Sequence, residues 1–315
     1  MKSKFSIILS FFFILLSACQ PVSAPGTVQV NLTTSSLPRV LATESFIADI
    51  AQNVAGNRLK VDTLVPIGMD PHSFEPTPLE VTKISDCDLL IVNGAGLETW
   101  LQKTLNNVGG NHRVVEASAG LTSRKSQAGE SSTSTSQTQV IDPHFWMDPT
   151  KVITYVDNIR DALIQIDPAG KDIYTQNANS YTSQLNSLDQ WVSDQVSQVA
   201  SDRRLLVTNH ESLGYFADRY GFKIVGAIIP NISPDASPSA QQLAALIDEI
   251  NATHAPAIFL EAGANSQLAD QVASETGVKV ITDLYTETLT PSNGVAPTYL
   301  DMIKYNTGII VNALK

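Results

Sequence analysis

The sequence predicts an α/β fold of two parallel-sheet lobes joined by one long helix, and three patterns carry that expectation. Short β-branched runs alternate with amphipathic stretches from Arg39 to Glu116, and the same alternation restarts at Leu205. Between them, Ile173, Tyr174, Tyr181, Leu185, Leu188, Val192, Val196 and Val199 recur largely at threes and fours, the spacing of one helical face. Strands separated by helices favour parallel sheets, because a parallel pair needs a crossover long enough to hold a helix.

The elements follow in chain order. Lys2 and Lys4 precede an apolar stretch, Phe5 to Leu16, that is too short to span a bilayer and reads as a secretory signal over residues 1–18. It ends in Leu16-Ser17-Ala18-Cys19, which resembles the bacterial lipobox, so Cys19 is expected to carry lipid after cleavage. Residues 19–37, uncharged and rich in Ser, Thr, Val and Pro, are expected to tether lipid to the folded body.

A first lobe is expected over residues 38–166. Arg39 to Thr43 reads as a strand, and Ser45 to Ala55 as a helix with Phe46, Ile47, Ile50 and Val54 on one face, stopped by Gly56. A strand at Val61 to Val65 leads to a helix that Pro78 opens in its first turn. A strand at Leu89 to Val92, a helix near Glu98 to Asn106 and a strand at Arg113 to Glu116 continue the alternation. Residues 119–139, dominated by Ser, Thr, Gln and Gly with hardly an apolar side chain, are expected to form a disordered surface loop.

Helical spacing resumes at Pro149, and the connecting helix is expected over residues 167–200, about 51 Å at the usual rise per residue. The second lobe, residues 201–315, is expected to hold strands at Leu205 to Thr208, Phe222 to Val225, Ala257 to Leu260 and Lys279 to Thr282. Helices at Ser212 to Tyr220, Ser237 to Asn251 and Ser266 to Thr276 fall between them, and a last helix starts near Pro297.

Composition narrows the partners. The formal charge of −11 becomes −13 without Lys2 and Lys4, which disfavours nucleic acid and suits a cation. Of the two cysteines, Cys19 is assigned to lipid, so Cys87 is left without an intrachain partner and is expected to be a small buried residue. About 275 residues remain beyond the tether, enough for two cores of ordinary domain size.

Three of the five histidines sit in Asp70-Pro71-His72, Asp142-Pro143-His144 and Asn209-His210-Glu211. Imidazoles brought from separate loops are how a protein builds a transition-metal site. His72 follows the second strand and His210 follows Leu205 to Thr208 within two residues, at the carboxyl ends where ligands collect in open parallel sheets. Glu287, after the last strand, is a possible oxygen donor, and one pair from each lobe would close a cleft around one ion. The prolines fix φ and reduce the loop entropy lost on holding each histidine, while Asp70 and Asp142 suit the turns. Glu261, at a strand end beside the cleft, is a candidate to accept a hydrogen bond from a ligand imidazole. His112 and His254 sit beside turn residues and are expected to be solvated.

Four stretches together carry a family resemblance: Gly68 to Thr77, Asp142 to Pro149, Val207 to Ala217 and Ile258 to Glu261. In order and spacing they resemble the zinc- and manganese-binding solute receptors of bacterial ABC importers, over nearly all of Pro38 to Lys315. The resemblance implies two Rossmann-like lobes, a rigid helix between them and one buried divalent ion. Carried over by motif, the ligands are His72, His144, His210 and Glu287. The family usually has Asp at the last position; Glu287 is one methylene longer, and Asp283 is the rival oxygen donor.

Three neutral imidazoles and one carboxylate suit Zn²⁺, and also Mn²⁺ with a bidentate carboxylate in a looser cage. Within the family His at the third position accompanies zinc, so Zn²⁺ is expected ahead of Mn²⁺. The zinc importers often carry a His-rich loop before the second histidine, and residues 119–139 contain no histidine. The implied role is capture of the ion by a monomer outside the cytoplasm, anchored to the membrane through Cys19, and delivery to a permease with its ATPase. A surface adhesin with a structural metal is the alternative. A zinc hydrolase would need an open coordination position and a general base, for which only Glu211 is at hand.

Overall fold

The computed structural model describes residues 37–108, 113–125, 130 and 141–315. The signal, Cys19, most of the tether and His112 lie outside the described residues, as do residues 126–129 and 131–140.

In the first half, strands β1 (Val40–Ala42), β2 (Val61–Thr63), β3 (Leu89–Val92) and β4 (Arg113–Glu116) form a parallel sheet in the order β2-β1-β3-β4. Helices α1 (Ser45–Ala55), α2 (Pro78–Asp86) and α3 (Leu101–Asn107) connect them. In the second half, β5 (Leu205–Thr208), β6 (Lys223–Ala227), β7 (Ala257–Glu261) and β8 (Lys279–Leu284) repeat the pattern as β6-β5-β7-β8, again parallel. Their crossovers are α6 (Gly214–Tyr220), α7 (Ala240–Thr253) and α8 (Gln267–Thr276). Helices α4 (Pro149–Ile166) and α5 (Lys171–Val196) lie between the halves in sequence, and α9 (Tyr299–Leu314) closes the chain. Both sheets therefore switch direction at the seam beside their first strand, the place where an open α/β sheet leaves a crevice.

Side chains alternate faces along each strand, and this decides what each sheet packs against. Val40, Ala42, Leu89 and Ile91 point to one face of the first sheet, and Leu206, Ala257 and Phe259 to one face of the second; all belong to a single core cluster with α1, α4, α5, α6 and α9. Leu41, Leu90 and Val92 pack outward with Ile84 and Leu101, and Val207, Ile258 and Leu260 outward with Leu246 and Val272. Composition allowed for two separate cores; the apolar faces of both halves instead merge into one, with smaller clusters on the outer faces.

The connecting helix is shorter than its apolar spacing implied. α5 has 26 residues, about 39 Å, because Pro168–Gly170 form a 3-10 turn before it and the helix ends at Val196. Its Tyr174, Tyr181, Leu185, Leu188 and Val192 are buried in the merged core, so it is a central packing element as well as a connection. Arg58 and Tyr174 both hydrogen-bond the Asp167 carboxylate at the start of this segment. Cys87 is buried, donates its Sγ–H to Ile84 O at 3.2 Å, and has its thiol pushed up to about 11 by burial and the neighbouring Asp88 charge.

Candidate metal centre

Every proposed ligand sits on a loop at the carboxyl end of a strand or beside one, and each loop is pinned by side-chain hydrogen bonds. After β2, Asp70 Oδ1 accepts the His72 backbone N–H at 2.8 Å and Oδ2 accepts Ser73 Oγ–H at 2.8 Å. Trp100 Nε1–H donates to Pro71 O at 2.9 Å, and the Trp100 ring meets Phe74 edge to face. The Asp-Pro-His turn is thus closed by its own aspartate, a local bond that the sequence makes available wherever Asp precedes Pro-Xaa.

Asp142 closes the same turn around His144, accepting its backbone N–H at 3.0 Å, and also accepts from Nδ1 at 2.9 Å. That second contact places the proton on Nδ1 and leaves the Nε2 lone pair for a cation, a role Asp70 does not have. Asp142 is held in turn by Tyr215, whose O–H donates to its carbonyl at 2.9 Å, and by Ser123 Oγ, which accepts its N–H at 3.0 Å. Phe145–Met147 form a short 3-10 turn, and Asp148 caps α4 by accepting Thr150 N–H at 2.9 Å. Trp146 packs at a tilt against the His144 ring, 5.2 Å between centroids, and stacks on Phe46 at 4.4 Å.

His210 follows β5, where Thr208 Oγ–H donates to its carbonyl at 2.6 Å. Its Nδ1 lies 2.9 Å from Glu261 Oε1, with the N–H direction off that line. Asn209 Nδ2–H and Ser212 Oγ–H donate to Glu261, so this carboxylate ties together the loop that carries His210, and its bonds are to that loop rather than to the imidazole expected from the sequence.

Glu287 is delivered by an irregularity in β8. Between the Phe259–Ile281 and Glu261–Leu284 pairs, β8 has one more residue than β7, and Asp283 in this bulge has φ of 71°. The bulge turns Asp283 to solvent, where Thr282 Oγ–H donates to it, and carries the following residues to the cleft. The structure therefore brings Glu287, and not Asp283, to the histidines. The Glu287 loop is fastened to the first half of the chain: Trp146 Nε1–H donates to Thr286 O at 2.6 Å, Gly68 N–H to Thr288 Oγ at 2.9 Å, and Leu289 N–H to Ser45 Oγ at 2.9 Å.

The four side chains converge with one ligand atom each within 4.8 Å of all the others. His144 Nε2 is 3.4 Å from both His72 Nε2 and His210 Nε2. Glu287 Oε1 is 2.9, 3.3 and 3.1 Å from His72, His144 and His210 Nε2. Four donors around a tetrahedral ion at about 2.1 Å are separated by about 3.4 Å, so the cluster has the scale of a single coordination shell. His144 and His210 are 0 % exposed, His72 6 % and Glu287 9 %, so an ion here would be shielded from solvent. His254 caps α7 at the surface in a left-handed conformation, away from the cluster.

Electrostatics favour charge in this pocket. Burial opposes the protonated form of His210, but the Glu261 and Glu287 carboxylates outweigh it and raise the imidazole well above its ordinary value. His144 is raised too, its burial overcome by the hydrogen bonds to Asp142 and Glu287. Glu287 is held well below the carboxylate range: burial pushes it up, and His210 and the hydrogen bonds from all three imidazoles pull it down further. Four protein donors around a tetrahedral ion would leave no coordination position for an attacking water, the main requirement of a hydrolase.

Sequence reasoning missed Arg124. It lies in the stretch expected to be disordered, yet its side chain is 5 % exposed and donates to Asp218 on α6 at 2.8 Å and to Glu130 at 2.6 Å. Nη1 is 3.7 Å from Asp142 Oδ2, on the far side of the carboxylate that orients His144. An arginine flanked by Ser and Lys gives no local signal, because its partners come from α6 and from the His144 loop.

A family model described as zinc-uptake complex component A, periplasmic, matches residues 40–313. The chain is 33 % identical over 276 residues to the manganese-binding lipoprotein MntA of Halalkalibacterium halodurans, covering 88 % of each chain. It is 32 % identical to the iron-binding protein YfeA of Yersinia pestis, covering 86 % of this chain and 85 % of that one. The solved structure of the Mn-bound periplasmic metal-binding protein of Candidatus Liberibacter asiaticus is similar with a TM-score of 0.77 and 30 % identity, covering 88 % of this chain and all of that one (100 %). The fold and the extent of these matches place the chain in the zinc-uptake component A family, the metal-binding substrate-binding proteins of bacterial ABC importers, which bind and deliver rather than catalyse.

Proposed function

We propose that this protein captures one divalent transition-metal ion on His72, His144, His210 and Glu287 and passes it to a membrane permease, with Zn²⁺ the preferred cargo and Mn²⁺ second. The convergence of three imidazole nitrogens and one carboxylate oxygen carries this reading. Three imidazoles and one carboxylate converging at the scale of one coordination shell are donor chemistry Zn²⁺ favours, and affinity in the first-row series rises toward the late metals. Manganese is the second reading because relatives of similar length are named for it. Mn²⁺ would be held if Glu287 turned to bind through both oxygens.

The ion loses water as four buried donors replace its shell. Since Glu287 reaches in from β8 and His210 from β5 to meet His72 and His144, an occupied site ties the halves together. Anchoring through lipid on Cys19 would keep the loaded protein outside the cytoplasm and near its permease; relatives named as lipoproteins support this. Competitive titration of the chelator-stripped chain with Zn²⁺ and Mn²⁺ in one buffer, with metal content read by mass spectrometry, tests the proposal. One tightly held Zn²⁺ per chain, with Mn²⁺ unable to displace it or to bind at about micromolar free concentration, is expected. Retained manganese would reverse the ranking, and tight binding of neither would sink the site.

A further inference from the structure

The first sheet's own crevice holds two buried carboxyl groups that the metal site does not use. Glu44 lies two residues past β1, as His210 lies two residues past β5, and Glu98 lies in the loop after β3. Glu44 is 1 % exposed and Glu98 8 %, and no cationic side chain is bonded to either among the described contacts.

Between them stands the Thr43 hydroxyl, 2.6 Å from Glu44 Oε2, 3.0 Å from Glu98 Oε1 and 3.3 Å from Ile91 O. A hydroxyl has one proton to give, so three acceptors cannot all be served by it. Glu98 already accepts Asn93 N–H at 2.6 Å on Oε1 and Gly94 N–H at 3.1 Å on Oε2, the pattern of an ionised carboxylate. Among the described residues Glu44 Oε1 is buried with no hydrogen-bond partner, a costly position for a charged group and a tolerable one for the carbonyl oxygen of a neutral acid.

We infer that Glu44 is a protonated acid that donates through Thr43 to the Glu98 carboxylate, and that this pair positions His144 through Asn93. Glu98 fixes the Asn93–Gly94 backbone, and Asn93 Nδ2–H reaches Pro143 O at 3.1 Å, one residue before His144. Tyr155 O–H on α4 donates to Asn93 Oδ1, which orients that amide. Burial first, then the Glu98 charge, hold Glu44 well above the ordinary carboxylate range, consistent with the proton count.

This inference rests on His144 being a metal ligand, and the test separates the two. The protein is loaded with Zn²⁺ and its release to excess chelator is timed for the unchanged chain and for Glu98→Gln, Asn93→Ala, Glu44→Ala and Glu44→Gln, with melting of each metal-free protein as a folding control. Glu98→Gln keeps one acceptor oxygen for two amides, and Asn93→Ala removes the link to Pro143; each is expected to release Zn²⁺ about tenfold faster or more. Glu44→Ala is expected to speed release and Glu44→Gln, which keeps a donor toward Thr43, to restore it. Wild-type release from Glu98→Gln and Asn93→Ala overturns the positioning role, and Asn93→Ala decides alone if Glu98→Gln does not fold. Equal release from Glu44→Gln and Glu44→Ala overturns the proton assignment. An unchanged chain that retains no Zn²⁺ overturns the metal site itself, and this inference with it.

Discussion

Asp142 and Asp70 show how one tripeptide can play two parts. Both close an Asp-Pro-His turn, yet only Asp142 also takes the imidazole Nδ1 proton. Asp142→Ala is accordingly expected to weaken metal binding by about 10- to 100-fold while the protein stays folded, and Asp283→Ala to leave it unchanged; competition against a chelating dye measures both. The raised His144 and His210 and the lowered Glu287 also set a pH dependence. A raised imidazole stabilises the metal-free fold fully below its unfolded value near 6.5 and loses that contribution as pH rises through the folded value. Depressed Glu287 contributes above 4.5 and loses its effect as pH falls through its folded value. Metal-free protein should therefore melt higher at about pH 6 than at about pH 8, and metal-loaded protein the reverse, because protons compete with the ion for imidazole. A metal-free melting point that rises from the lower to the higher pH contradicts the assignment. The histidines were legible in sequence because so few occur and most sit beside proline or at strand ends. Glu44, Glu98 and Arg124 were not, since a carboxylate or guanidinium becomes informative only when tertiary contacts bury it.

At the level of elements, the strand and helix order followed from periodicity, and the departures have local causes. α6 begins at Gly214 rather than Ser212 because Ser212 Oγ–H is committed to Glu261 and its N–H to His210 O, which holds the residues before the helix in a turn. The bulge in β8 gave no signal in its sequence, although it decides which acid reaches the metal site. The Glu287 loop is sequentially part of the second half but hydrogen-bonded to Trp146, Gly68 and Ser45 of the first. Trp146→Phe removes one of those bonds and leaves the buried Thr286 carbonyl without its donor. A loss of about 1–3 kcal/mol in unfolding free energy is expected, together with faster metal release; denaturant titration and stopped-flow chelation would read the two effects.

At the level of the molecule, the two sheets share one core across α1, α4, α5 and α9, so the halves should not unfold separately. Leu185 is 0 % exposed at the middle of α5, and Leu185→Ala is expected to cost about 2–5 kcal/mol and to shift a single calorimetric transition rather than split it. Two resolved transitions would mean that the lobes keep independent cores. Metal should raise the same transition, by about 4 kcal/mol of added stability at a free concentration a thousandfold above the dissociation constant. All of this depends on one coordination shell drawn from both halves. X-ray absorption at the zinc edge of the loaded protein tests that shell most directly. Three imidazole nitrogens and one carboxylate oxygen at about 2.0–2.2 Å are predicted. A shell of water oxygens with one imidazole or none would contradict the account.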